Sequence, residues 1–256
     1  LDVLEKAHIP IDVLSGSSMG GIVALTLARK GNVGATIRQV QEQLGANKKI
    51  RDRALLPRGS IFTGAKIAQA AENTFGDCTF SDLALPVSVA AADIAGGERV
   101  ILDRGEVRTA VLATSAIPGF FPPIARDQRL LVDGGVVSWV PVDVLSHRRC
   151  GLRIAVNVLP LTQDSQQDIV DGFEQLGNKL RKPLGLKSVL GSSWELLGSW
   201  GSTRETLSAD VVITPITPAR AGYDFDQFET IVECGRRSAL ERIEAVAELV
   251  KNTLHT

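Results

Sequence analysis

Gly16-Ser17-Ser18-Met19-Gly20 fits G-x-S-x-G, a spacing that suits a serine raised on a sharp turn between a strand and a helix. Glycines on both sides let the chain reverse tightly and let neighbouring backbone pass close to the serine. Ser18 holds the apex of this pattern; Ser15 and Ser17 do not. At the start of a helix the Met19 N–H would point to where an oxyanion forms. The same letters also fit an ordinary glycine-rich turn, or a phosphate cradle without the full dinucleotide fingerprint.

A serine used as a nucleophile needs a base to take its proton. The chain has three histidines. His8 sits among surface-type residues, His147 in the basic run His147-Arg148-Arg149, and His255 next to the end of the chain. None sits in a convincing place; His147 is the least implausible base for a histidine triad on an α/β-hydrolase fold. Asp133-Gly134-Gly135 offers another base. It follows the apolar run Leu130-Leu131-Val132 directly, so its carboxylate emerges at a strand end, where α/β folds place their sites. Asp-Gly is equally a hairpin turn. As an acid–base pair, Ser18 and Asp133 must meet from 115 positions apart.

The elements that would carry these turns follow from apolar periodicity. Ile9–Ser15 reads as a buried strand and Gly21–Lys30 as a helix closed by Gly31. A second helix covers Ala35–Leu44, Arg51–Ser60 is basic and irregular, and Phe62–Phe75 returns to helical spacing. Leu85–Asp93 and Arg99–Asp103 read as strands across Gly96-Gly97, and Val107–Ser115 as a helix stopped by Pro118-Gly119. Arg129–Val132 is a short strand, Val142–His147 the start of a helix, and Arg153–Val158 a buried strand. Val211–Pro215 gives a last strand and Phe225–Leu254 one long closing helix. Strands alternating with helices predict a largely parallel sheet between helical layers. No linker breaks the pattern, so residues 1–256 are read as one domain, with 161–207 a polar, Gly/Ser-containing mobile cover.

A chain of 256 residues with 44% apolar content can bury a substantial core. With 28 basic against 29 acidic residues, nothing in the overall charge favours nucleic acid. No stretch approaches the roughly 20 apolar residues of a bilayer span. Cys78, Cys150 and Cys234 are odd in number and widely spaced. That argues against a disulfide framework or zinc site and for a reducing compartment. The opening on Leu1, with the first methionine inside the serine motif, is read as the loss of upstream sequence. The expected location is cytoplasmic or peripheral on a membrane.

Three segments taken together are more specific than any one. They are Gly16–Gly20, then Ala113-Thr114-Ser115-Ala116-Ile117-Pro118-Gly119-Phe120-Phe121-Pro122-Pro123, then Asp133-Gly134-Gly135 with Val140-Pro141-Val142-Asp143-Val144-Leu145. In that order they resemble the patatin-like phospholipases, more closely the bacterial and neuropathy-target-esterase-like branch. The resemblance extends over the Ala92-Asp93 strand end and Asp210–Pro215 to the closing helix. It implies an α/β three-layer sandwich with a mostly parallel central sheet and helices on both faces. It also implies a Ser18–Asp133 dyad framed by Gly16, Met19, Gly20, Gly134 and Gly135. Such a dyad forms an acyl-enzyme from a phospholipid or lysophospholipid, which water then hydrolyses, without metal or cofactor. The family's glycine-rich oxyanion loop, with its arginine, would precede Leu1–His8. The natural parent that carries that loop and the first strand is expected to be active, and a chain lacking them to turn over weakly or not at all.

Around this centre, Phe120, Phe121 and Pro122 are candidates for an acyl-chain groove, or simply for core packing. Leu190, Trp194 and Leu197 share helical spacing, with Trp200 one step beyond, and read as an interfacial helix or as a core cover. Asp93 reads as an orienting carboxylate or a turn cap. Arg51, Arg53 and Arg58 read as a headgroup site or a solvated loop. The same residues allow an acyltransferase, or a lipid-binding module without turnover, as well as a hydrolase with transient membrane-surface contact.

Overall fold

A computed structural model describes residues 1–45, 60–146, 150–159, 186–216 and 227–254. Its helices are α1 (Asp2–Lys6), α2 (Met19–Lys30), α3 (Val33–Gly45), α4 (Ala65–Phe75), α5 (Val107–Thr114), α6 (Asp143–Ser146), α7 (Leu186–Glu205), α8 (Phe228–Leu240) and α9 (Ile243–Leu254). Its strands are β1 (Leu14–Ser17), β2 (Val87–Asp93), β3 (Glu98–Leu102), β4 (Ile124–Arg126), β5 (Arg129–Asp133), β6 (Ile154–Val156) and β7 (Val211–Ile213). The expected α/β architecture is present, with helices packed on a central sheet.

β2 is the organising strand, buried along its whole length. Val87, Val89 and Ala91 join Leu25, Phe75, Val107 and Leu131 in the main core, where α2, α4 and α5 meet the sheet. Ser88, Ala90 and Ala92 face the other way and are buried as well. A strand covered on both faces reads as a continuous run of small and branched residues, as this one does.

The pairing is mixed. β1 runs parallel to β2, and β6 parallel to β7, whereas β3 and β5 are antiparallel to β2 and β4 is antiparallel to β5. The parallel share is smaller than alternation alone predicts, because two tight hairpins intervene. One is the Gly96-Gly97 turn. The other turns on Asp127 and Gln128, both at positive φ, with no glycine to announce it.

The registers carry the central fact. Both β1 and β3 pair with Val89 and Ala90, so they lie on opposite edges of β2. Both β3 and β5 pair with Ala91 to Asp93, so β5 lies on the same edge as β1. Ser17 pairs with Ala90 and Asp133 with Ala91. The carboxyl ends of β1 and β5 therefore meet head to head on consecutive residues of one strand.

Elsewhere the boundaries move. β1 begins at Leu14, not Ile9; Ile9 and Ile11 pack away from this sheet, with Leu4, Val211 and Val246. The closing helix is two helices, α8 and α9, divided at Glu241 and Arg242. Ala239 packs with Val3 and Ile213, while Val246 and Val250 pack with Leu4 and Val211. The two groups adjoin through Ile154 and Ile243, and the chain bends between them with neither Gly nor Pro at the break.

Leu131, 1% exposed, anchors β5 in the main core two residues before Asp133. Leu131→Ala is expected to cost about 2–5 kcal/mol, read as a lower midpoint in chemical denaturation.

Candidate active site

Ser18 caps the N-terminus of α2 with φ 51° and ψ −124°, a conformation that costs a residue other than glycine about 1–3 kcal/mol. Its surroundings hold it there. The Ser18 N–H donates to Thr114 Oγ1 at 2.8 Å, and the Thr114 hydroxyl donates to the Ala90 carbonyl at 2.7 Å. Met19 follows as the first helical residue, so its N–H belongs to the first turn, which has no intrahelical acceptor. The Met19 side chain is exposed.

The glycines around the serine are not equivalent. A Cβ on Gly16 would fall onto the backbone of Gly20 and lie 2.5 Å from the Gly21 nitrogen. One on Gly21 would come within 2.9 Å of Val89 Cγ1. Gly20, which the motif reading treats as needed for close approach, has open space at its Cβ position and no positive φ. Gly16 and Gly21 are the sterically required pair.

Asp133 leaves β5 and caps the short turn Gly134–Val136. Its Oδ2 accepts the Ser18 hydroxyl at 2.6 Å, and its Oδ1 accepts the Gly135 N–H at 2.8 Å. The residue is fully buried. Burial disfavours the charged form and pushes the carboxyl pKa up to about 6, against the opposing pull of the Ser18 hydroxyl and the Gly135 amide. Gly134 has no room for a side chain. Its Cβ would strike the Ala90 carbonyl oxygen and lie 2.6 Å from Ser17 Oγ. Ser17 Oγ is itself buried without a hydrogen-bond partner among the described residues.

The remaining candidates separate. Phe120 and Phe121 are half-buried and pack on the buried Phe62, at ring-centroid distances of 6.4 and 5.6 Å. Pro122 lies against Gly64. All three pack between this loop and the start of α4 while keeping part of their surface exposed. Asp93 accepts the Ala95 and Leu130 N–H groups, the turn-cap alternative. His8 is exposed, at φ 55°, between α1 and β1. His147, His255, Arg51, Arg53, Arg58 and residues 161–185 lie outside the described residues. Among those described, no cluster of three or more His, Cys, Asp or Glu could hold a metal ion.

α7 turns Trp194, Gly198, Gly201 and Glu205 inward at helical spacing. Trp194 packs on Trp139 with centroids 5.1 Å apart, and a Cβ on Gly135 would lie 3.0 Å from its ring. Side chains at Gly198 or Gly201 would come within 2.9 Å of the Trp139 ring. Glu205 accepts the Trp139 and Val140 N–H groups at 2.7 and 2.6 Å. Leu197 and Trp200 point outward, 64% and 67% exposed; the Leu190 side chain lies outside those described. The apolar spacing thus divides between a covering face and an exposed one. Sequence reasoning assigns no role to Thr114, Glu205 or Trp139. Thr114 is the one of the three with a local signal, a polar residue closing the apolar run Val111-Leu112-Ala113.

A central sheet flanked by helices thus carries a strand-to-helix serine elbow beside a buried aspartate, an α/β arrangement. Residues 1–146 match the family model of patatin-like phospholipase, and the chain belongs to that family. An uncharacterized NTE family protein of Mycobacterium tuberculosis is 25% identical over 262 residues, covering 97% of this chain and 44% of that protein. Neuropathy target esterase of Drosophila melanogaster is 27% identical over 166 residues, covering 62% of this chain and 11% of its own length. Human patatin-like phospholipase domain-containing protein 6 is 26% identical over 163 residues, covering 62% and 12%. The chain spans less than half the length of these relatives.

Two outcomes follow from the site's packing and charge. Gly16→Ala is expected to destabilise by about 2 kcal/mol or more, while Gly20→Ala leaves the melting temperature nearly unchanged. Asp133→Asn removes a buried charge whose ionisation costs on the order of 3 kcal/mol at neutral pH. Because the folded pKa lies above the unfolded one, Asp133 favours folding most below pH 4, and that contribution disappears as pH rises through about 6. The variant should therefore melt higher than wild type at pH 8 and lose that advantage near pH 4.

Proposed function

We propose that the protein is a serine lipid acyl hydrolase of the phospholipase A or lysophospholipase type, with Ser18 as nucleophile and Asp133 as its base. The observation that carries this reading is the 2.6 Å hydrogen bond from the Ser18 hydroxyl to a fully buried carboxylate. Asp133 Oδ2 takes the hydroxyl proton as Ser18 Oγ attacks the ester carbonyl, and the oxyanion forms towards the Met19 N–H at the positive end of α2. The leaving alcohol departs with the proton from Asp133, leaving Ser18 acylated. Asp133 then deprotonates a water molecule that attacks the acyl-enzyme, and Ser18 recovers its proton as the fatty acid leaves.

A carboxylate in water is too weak a base for this work at neutral pH; one raised to about 6 is better matched and still mostly ionised at pH 7 to 8. The Gly135 amide on Oδ1 leaves Oδ2 directed at the serine. An apolar substrate suits the exposed side chains beside the two turns, Met19 next to the serine and Val136 and Val137 next to the glycines. The outward Leu197 and Trp200 of α7 suit transient contact with a lipid surface. No helix among the described residues is long and apolar enough to cross a membrane.

The protein is expected to react with a fluorophosphonate probe at Ser18 and to release fatty acid from lysophospholipid vesicles. Ser18→Ala should abolish both, and Asp133→Asn should lower turnover about 10²- to 10⁴-fold. Labelling that survives Ser18→Ala, or full turnover by Asp133→Asn, would sink the reading. Since only the ionised carboxylate can accept a proton, kcat/KM should fall with decreasing pH through an apparent pKa near 6.

A further inference from the structure

We infer that Thr114 is a positioning residue for the reacting serine, acting through its hydroxyl and not through its bulk. This rests on the reading of Ser18 as nucleophile.

Thr114 closes α5, is fully buried, and lies 96 residues from Ser18 in the chain. Its hydroxyl has one hydrogen, which is spent on the Ala90 carbonyl at 2.7 Å. That fixes the direction of its lone pairs, one of which receives the Ser18 N–H at 2.8 Å. The contact has two consequences. First, it satisfies the amide of a residue held at φ 51°, where an unpaired N–H would favour relaxation of the turn. Second, it reserves that N–H, so the oxyanion must be met by the Met19 N–H and other donors beyond it.

The acceptor at the far end also matters. Ala90 pairs with Ser17 on β1, and its carbonyl occupies the space where a Gly134 side chain would stand, beside Asp133. One hydroxyl therefore connects the backbone of the serine turn to the strand carbonyl against which the aspartate turn is packed. The Ser18 side chain, whose oxygen lies 2.6 Å from Asp133 Oδ2, inherits its direction from the backbone so held. Losing the hydroxyl frees that backbone and lengthens the proton-transfer contact, while substrate binding is left alone.

Thr114→Val keeps the shape and removes the hydroxyl. Turnover of a soluble chromogenic ester, expressed per serine titrated with fluorophosphonate, is expected to fall about ten- to a hundredfold with KM changed less than about twofold. Thr114→Ser should retain turnover within about threefold. Should the valine variant not fold, Thr114→Ser against Thr114→Ala makes the same comparison, since those two differ by the hydroxyl alone. Unchanged kcat per titrated serine in the variant without a hydroxyl would overturn the inference, and so would a serine variant as impaired as the valine or alanine one. A variant that merely lost folded protein would show fewer titratable serines with normal turnover at each. Wild-type protein that neither labels nor turns over would overturn the nucleophile reading itself, and this inference with it.

Discussion

One strand edge decides where everything else sits. β1 climbs β2 as far as Ala90 and β5 descends it as far as Ala91, so two chain segments distant in sequence end on adjacent positions of a third. Neither can continue, because each would run into the other, and both must turn out of the sheet. The serine elbow and the Asp-Gly-Gly turn are the two exits from that collision. Their glycines follow from it. Gly16 and Gly134 stand where backbone passes backbone with no room for a methyl group.

The site built there is locally unfavourable in two ways, a left-handed serine and a carboxylate with no exposure to water. Both persist because the surrounding packing over-determines them. The main core grips β2 and β5 through Val89, Ala91 and Leu131, and α5 delivers Thr114 to the elbow. The same burial that makes the Asp133 charge costly also makes it a stronger base. Under the proposed mechanism, stability given up at this point raises the reactivity of the pair.

Much of this was legible in the residues, and the exceptions have physical reasons. Ser18 and Asp133 stand out because a serine elbow and a strand-end aspartate are local patterns, complete within five and three residues. β4 is three residues long, and its turn uses Asp127 and Gln128 in place of glycine, so periodicity cannot register it. The division at Glu241 and Arg242 falls between two adjoining apolar groups built from residues far apart in the chain, with no helix breaker in the sequence to mark it. Trp194 and Leu197 share one apolar spacing, yet Trp139 and the small residues at 198 and 201 decide which of them turns inward. Gly20 belongs to the motif without being sterically required in this fold. Glu205 and Trp139 meet 66 residues apart, and no local pattern advertises that contact; Thr114 is marked locally only as a polar residue closing an apolar run, which does not reveal partners 24 and 96 residues away.

The head-to-head arrangement also has a consequence in time. During synthesis Ser18 leaves the ribosome long before Asp133, and β1 can dock on β2 while β5 is still unmade. Until the later strand closes the edge, the hydroxyl has no partner and remains an ordinary alcohol. Under the proposed mechanism, a chain that has not yet placed β5 has no base beside Ser18, so the pair comes into being only when that edge of the sheet is completed.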